Sequence, residues 1–131
     1  MILLDSNILI YASLPGHSFL RNNILEQLVS ASVISRIETL GYHRLTHEHE
    51  RYLEKMFAAV AILPITDTIV DRSILLRQQR RMGLGDAIIA ASALEHGMDL
   101  WTRNIKDFSW VSGLVVHDPF GGVAAGTGSL A

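Results

Sequence analysis

Short apolar runs alternate with longer stretches of helical periodicity along this chain, and that alternation constrains the fold more than any other property of the sequence. Strands are expected at Ile2–Leu4, 32–34, 59–65, 99–102 and 114–116, each too short for a helix. Between them, apolar residues recur at helical spacing over 19–29, 46–57, 67–81 and 86–96. A shorter helix is expected after Asp5-Ser6-Asn7, and another opens near Ser35, with Gly41 a weak point inside it. Thr46 is the expected N-cap of the 46–57 helix, with Glu48 and Glu50 in its favourable first turn. Gly83-Leu84-Gly85 reads as a turn and Gly97 as a helix stop. Strands separated by helices imply crossover connections and a mostly parallel sheet covered on both faces. The fold class is therefore α/β, a three-layer α/β/α sandwich, over residues 1–120. Residues 121–131 are Gly, Ala, Ser and Thr with almost no core former, and are expected to be a flexible tail.

At 131 residues the chain is one domain, long enough to bury roughly two-thirds of its unfolded surface without staples. It has no cysteine, which excludes thiolate-held zinc and a disulfide framework. Met1 runs directly into an apolar strand, and no segment approaches the roughly 18 uninterrupted apolar residues of a membrane span. Neither an export signal nor a membrane partner is expected, and the cytoplasm is the default location. The net charge of −2 argues against bulk electrostatic binding of nucleic acid.

Four acidic signals fall where a strand hands over to a helix or a helix leads into a strand: LLDSN at Asp5, SRIETL at Glu38, GDAIIAA at Asp86 and TRNIKDF at Asp107. Each has a local alternative. Asp5 and Asp86 are good helix N-caps, Ser35 and Glu38 are spaced as a capping box, and Asp107 suits the start of a turn. Their joint placement points elsewhere, because open parallel sheets bind ligands outside the carboxyl ends of their strands. Carboxylates brought within about 4–6 Å repel and raise one another's pKa unless something offsets the charge. A divalent cation is the simplest offset, and an all-oxygen donor set suits Mg²⁺ or Mn²⁺. With these four set aside from the 13 acids, nine remain against 11 basic residues, so charge permits a nucleic-acid substrate.

The segments LLDSNILIY, SRIETLGYHRLT, GLGDAIIAASAL and LWTRNIKDF, in this order, resemble the successive acidic motifs of PIN-domain nucleases, particularly the VapC-like toxins of toxin–antitoxin pairs. The resemblance implies a Mg²⁺- or Mn²⁺-dependent endoribonuclease with metal-ligand roles at Asp5, Glu38 and Asp86. It also implies a homodimer and a small antitoxin protein that blocks the site. Two departures are visible. Asn104 stands where the family often has an acid, leaving the remaining donor to be either Asn104 or Asp107. Gly85 stands where proline often precedes the third acid.

Arg77, Arg80 and Arg81 are spaced to share a helical face, and Arg103 and Lys106 flank the last acidic motif. Either these are solvated charges or they position RNA phosphates. Ser6 and Thr102 sit where they can orient water or a ligand; Trp101 and Trp110 are both candidates for base stacking, although Trp101, inside a strand, fits the core better. His43, His47 and His49 lack the HExxH order, so they are expected on a solvated loop and helical turn rather than on zinc. The alternatives to a nuclease are a binding module with an impaired site, suggested by Asn104, and a phosphatase, for which Asp5-Ser6-Asn7 lacks the second acid. Apolar residues on more than one stripe between Phe19 and Phe57 predict a protein partner on that surface.

Overall fold

The computed structural model describes residues 1–126. The chain runs β1 (Ile2–Leu4), α1 (Ser6–Ala12), α2 (Ser18–Leu25), β2 (Val29–Ser32), α3 (Val33–Leu40), α4 (His47–Ala59), β3 (Ala61–Leu63), α5 (Asp67–Gln79), α6 (Leu84–His96), β4 (Asp99–Trp101), α7 (Ile105–Phe108), β5 (Leu114–Asp118) and β6 (Gly122–Gly126). The sheet order is β3-β2-β1-β4-β5-β6. All neighbours are parallel except β5 and β6. From β1 the chain moves outward to β2 and β3, then returns to lay β4 on the other side of β1. The direction of winding reverses between β1 and β4, so a crevice opens beyond their carboxyl ends.

Side chains alternate across a strand, and here each face carries its own core. Leu3 and Leu100, paired in register, pack with Ile88, Ile89 and the alanines of α6. Leu4 and Trp101, the next pair, pack with Ile8, Leu9, Leu20, Leu53 and Phe57. Both layers are thus present, as the alternation predicts, and Trp101 is a core residue. Helix α6 is apolar on nearly every side because it is buried on nearly every side. It stops where expected: Gly97 adopts φ 62°, left-handed, and Met98 N–H closes the end on the Ala93 carbonyl at 2.9 Å. Thr46 caps α4 through a 3.1 Å bond from His49 N–H, also as expected. Among the described residues, no helix is long and apolar enough to cross a membrane.

Several expectations need correction, among them Gly41, which ends α3 as its C-cap instead of lying inside it. The second strand lies earlier, at Val29–Ser32, and Val33-Ile34 opens α3 instead of ending a strand. Ser32 Oγ caps that helix by accepting from Ile34 N–H at 3.2 Å. Ser35 is therefore a buried residue inside α3 and forms no capping box with Glu38. The glycine-flanked turn is shorter than expected: only Gly83 lies outside the helix, and Leu84 and Gly85 are its first two residues. Finally, residues 122–126 are a strand, antiparallel to β5, where composition predicts a tail. Backbone pairing on an open sheet edge requires no core-forming side chain. Residues 127–131, the rest of that expected tail, lie outside the described residues.

Candidate active site

Asp5 is where β1 ends. Its N–H donates to the Trp101 carbonyl at 2.9 Å, which continues the β1–β4 ladder and points the side chain over the crevice. The carboxylate accepts from Ser6 N–H at 2.8 Å through Oδ1 and from Thr102 Oγ1 at 2.7 Å through Oδ2. Thr102 Oγ1 is in turn bonded by Asn104 N–H at 3.0 Å and approached by Asn7 Nδ2 at 3.4 Å. Asp5 is thus an N-cap and also the centre of a network that spans the β1–β4 junction. It is only 4% exposed. Burial pushes its carboxyl up to about 6, reinforced by the charges of Asp86 and Glu38 and opposed by the Thr102 and Ser6 hydrogen bonds.

Glu38 comes from α3, one turn beyond Ser35. Ser6 Oγ lies 2.9 Å from Ser35 Oγ and donates to Glu38 Oε1 at 2.8 Å, so α1 and α3 jointly hold the carboxylate. On its other side Glu38 rests against the backbone of Gly85, where any Cβ would collide with the carboxylate. By sequence Gly85 belongs to a turn; in the structure it lies in α6 against the Glu38 carboxylate. Its φ is not positive and its neighbours are helical, so conformational freedom does not explain it.

Asp86 is the third residue of α6 and makes no cap, since Gly83 occupies that position. The positive end of the helix favours its charge. Even so its carboxyl is raised, first by burial, then by Asp107 and then by Glu38. Asp107, on α7, lines the same groove as Asp86. Asn104 enters the network through its backbone N–H, and its side chain does not cap α7.

Asp5, Glu38 and Asp86 therefore sense one another, and Asp107 joins through Asp86. The ion pairs among the described residues, Arg72–Glu95 and Arg103–Asp118, involve none of these four. Nor do three acid or histidine side chains converge among the described residues into a ready-made cage for an ion. A hard ion such as Mg²⁺ does not require one, because it usually keeps several waters and binds through one or two carboxylates plus substrate phosphates. The donor chemistry fits such an ion: oxygens only, two carboxyls held above their ordinary range, and no salt bridge to any of the four acids among the described residues.

The five basic candidates separate. Arg80, Arg81 and Lys106 line a groove of about 240 Å³ with Asp86, Asp107 and Trp110, and the Arg80 guanidinium sits 5.5 Å from the Trp110 ring centroid. Arg77 instead spends its Nε–H on the Met82 carbonyl at 3.1 Å, bracing the loop before α6. The expected shared helical face does not form, because α5 ends at Gln79 and the backbone is extended at Arg80. Arg103 turns the other way, to Asp118 at 3.5 Å. Glu95 pairs with Arg72 at 2.8 Å and with none of the five.

Comparison with known proteins gives the same picture. The family model described as PIN domain matches residues 2–113. Ribonuclease VapC10 of Mycobacterium tuberculosis is 32% identical over 117 residues, covering 82% of this chain and 86% of that protein. Ribonuclease VapC1 of Rickettsia felis is 33% identical over 87 residues, which span 59% of this chain and 65% of that protein. Among solved structures, a toxin–antitoxin complex from Klebsiella pneumoniae superposes with a TM-score of 0.73 at 31% identity, covering 91% of this chain and 98% of the matched one. With the family model spanning most of the sequence and the acid motifs gathered at one crevice, the chain belongs to the PIN-domain family, among its VapC-like members.

Proposed function

We propose that this protein is a cytoplasmic endoribonuclease toxin, dependent on Mg²⁺ or Mn²⁺ and held inactive by a small antitoxin. The observation that carries the reading is an acid cluster at the switch point between β1 and β4, without a salt bridge among the described residues, beside a groove that bears three basic side chains. The similarity to ribonucleases VapC10 and VapC1 and to the Klebsiella pneumoniae toxin–antitoxin complex supports it.

Asp5, Glu38 and Asp86 would hold the ion, with Asp107 the better-placed fourth donor because its charge acts directly on Asp86. A bound divalent ion supplies Lewis-acid stabilisation of the phosphoryl oxygens and a more acidic water. The chain supplies the rest. Thr102 and Ser6 fix the carboxylate orientations, Arg80, Arg81 and Lys106 receive phosphates, and burial of Asp5 excludes competing water. An apolar groove of about 290 Å³, lined by Ile10, Tyr42, Leu45 and Leu53, begins at Glu38 and suits the antitoxin. Exposed Ile37 and Tyr42 extend that surface, while exposed Val70, Ile74 and Leu75 on α5 offer a separate face for a homodimer.

The test is cleavage of RNA, compared with a small phosphate ester, on addition of Mg²⁺ and then EDTA. Metal-dependent loss of RNA alone is expected. Binding without cleavage would leave the chain a binding module, and hydrolysis of the ester alone would make it a phosphatase.

Two variants probe the donor set. Asp107→Asn is expected to weaken Mg²⁺ binding several-fold by calorimetry, and Asn104→Asp to strengthen it, since charge is what a hard cation selects. An unchanged affinity for Asp107→Asn would place that carboxylate outside the coordination sphere. Gly85→Ala tests the seat of Glu38. Alanine is at least as good a helix former as glycine, and Glu38 is exposed enough to swing aside, so the variant should melt no lower than the parent. Its cleavage rate should nonetheless fall about tenfold, the lower end of what a misplaced supporting group costs. Full activity in Gly85→Ala would show that the carboxylate does not need this position.

A further inference from the structure

Arg103 follows β4 by two residues and leaves the sheet edge toward α1, on the opposite face from the basic groove. The groove's Met82 and Trp110 belong to the α6 side of the sheet, whereas Tyr11 and Phe120, the partners of Arg103, pack on the α1 side. The Arg103 guanidinium lies 3.9 Å from the Phe120 ring centroid and 5.3 Å from that of Tyr11, with Nε 3.5 Å from Asp118. Phe19, 52% exposed, meets Phe120 edge-on at 5.3 Å. The side chain of Arg103 remains 37% exposed. Its own N–H donates to Asn7 Oδ1 at 3.4 Å, and Asn7 contacts the Thr102 hydroxyl that bonds Asp5. The backbone of Arg103 is thereby tied to the acid cluster through one side chain and one hydroxyl.

We propose that Arg103, backed by Phe120, is a stacking platform for a nucleobase of single-stranded RNA whose backbone crosses the acid cluster. This inference rests on the ribonuclease reading. Three observations carry it. The guanidinium carbon packs over the Phe120 ring at 3.9 Å while the planar group stays partly exposed, and such backed planes are what bases stack on. Three partners already hold the side chain, so little rotamer entropy remains to be lost on binding. Asp118 offsets its charge, which makes it a poor distant attractor of phosphate but leaves its π-face intact. A strand crossing the sheet edge would meet phosphate-binding cations on one side and a stacking surface on the other.

The test compares a short oligoadenylate with an abasic oligonucleotide of equal length, with Ca²⁺ replacing Mg²⁺ to restrain hydrolysis. Arg103→Lys keeps the charge and loses the plane. Oligoadenylate affinity should fall roughly tenfold in that variant while abasic affinity stays the same, within the range measured for loss of a stacking partner. In Mg²⁺ the same variant should raise KM for RNA with kcat and calorimetric Mg²⁺ affinity held. Equal affinity for oligoadenylate in parent and variant would overturn the platform, as would equal loss for both ligands. Should Arg103→Lys fail to fold, the parent decides: its Arg103 Nε–Hε resonance should shift upfield with oligoadenylate and not with the abasic strand, and an unmoved resonance overturns the proposal. A parent that neither binds nor cleaves RNA removes the ribonuclease reading and the platform together. Normal cleavage with an indifferent Arg103 removes the platform alone.

Discussion

Asp5→Asn, Glu38→Gln and Asp86→Asn are each expected to lower Mg²⁺-dependent RNA cleavage by roughly a hundredfold or more, beyond the 10–100-fold typical of groups that only support metal ligands. The substitutions are chosen to leave local structure intact. Asp5 is an N-cap, and asparagine caps a helix about as well. Asp86 caps nothing, because Gly83 holds that position in α6. Glu38 belongs to no capping box, because Ser32 caps α3, and glutamine can still accept from Ser6. Loss of activity in a folded variant therefore reports on charge at the crevice and not on helix stability. Steady-state cleavage of RNA, with circular dichroism melts of each variant, checks it. Retained Mg²⁺-dependent cleavage in all three would sink the assignment of the site to these residues.

The second large effect is on the metal-free protein. A carboxyl raised to about 6 binds its proton more tightly in the folded than in the unfolded chain. Between about pH 4 and 6 the native state then holds more protons than the unfolded one, so the contribution of Asp5 to stability is lost as pH rises through that window. A shift of about two units corresponds to roughly 3 kcal/mol, and Asp5 is buried enough for that conversion to need no discount for solvent. Asp86, also raised, acts in the same direction. Other carboxylates titrate in the same range, so the informative quantity is the difference between parent and Asp5→Asn in urea unfolding with EDTA. That difference should grow in favour of the variant from pH 4 to pH 6 and then level off. Adding Mg²⁺ at pH 7.5 should restore stability to the parent, by about 3 kcal/mol at a hundredfold excess over Kd. A difference flat in pH would mean that Asp5 is not held above its ordinary range.

Both expectations depend on how sequence-distant groups meet, and that division runs through the whole molecule. The alternation of short apolar runs with helical stretches was enough to establish a parallel sheet under two helical layers, because burial on both faces imposes that pattern locally. It also placed Asp5, Glu38 and Asp107 after strands and Asp86 at the start of a helix, since strand ends are where chain polarity puts them. Boundaries were less legible. Val33-Ile34 looks like a strand and starts a helix, because Ser32 is free to cap it. The segment 122–126 looks like a tail and pairs as β6, because backbone bonding leaves no mark in side-chain composition.

The site's working details came only with the tertiary structure. Nothing local says that Thr102 bonds Asp5 across 97 positions, that Ser6 on α1 steadies Glu38 on α3, or that Gly85 is bare because that carboxylate rests on it. Five basic residues near the acids in sequence part company in space, three to the groove, one to a loop carbonyl and one to an aromatic stack. Residue type and periodicity report how each segment meets water. Which atoms meet one another, and how far burial moves a carboxyl from its ordinary range, is set by packing between segments that share no local signal.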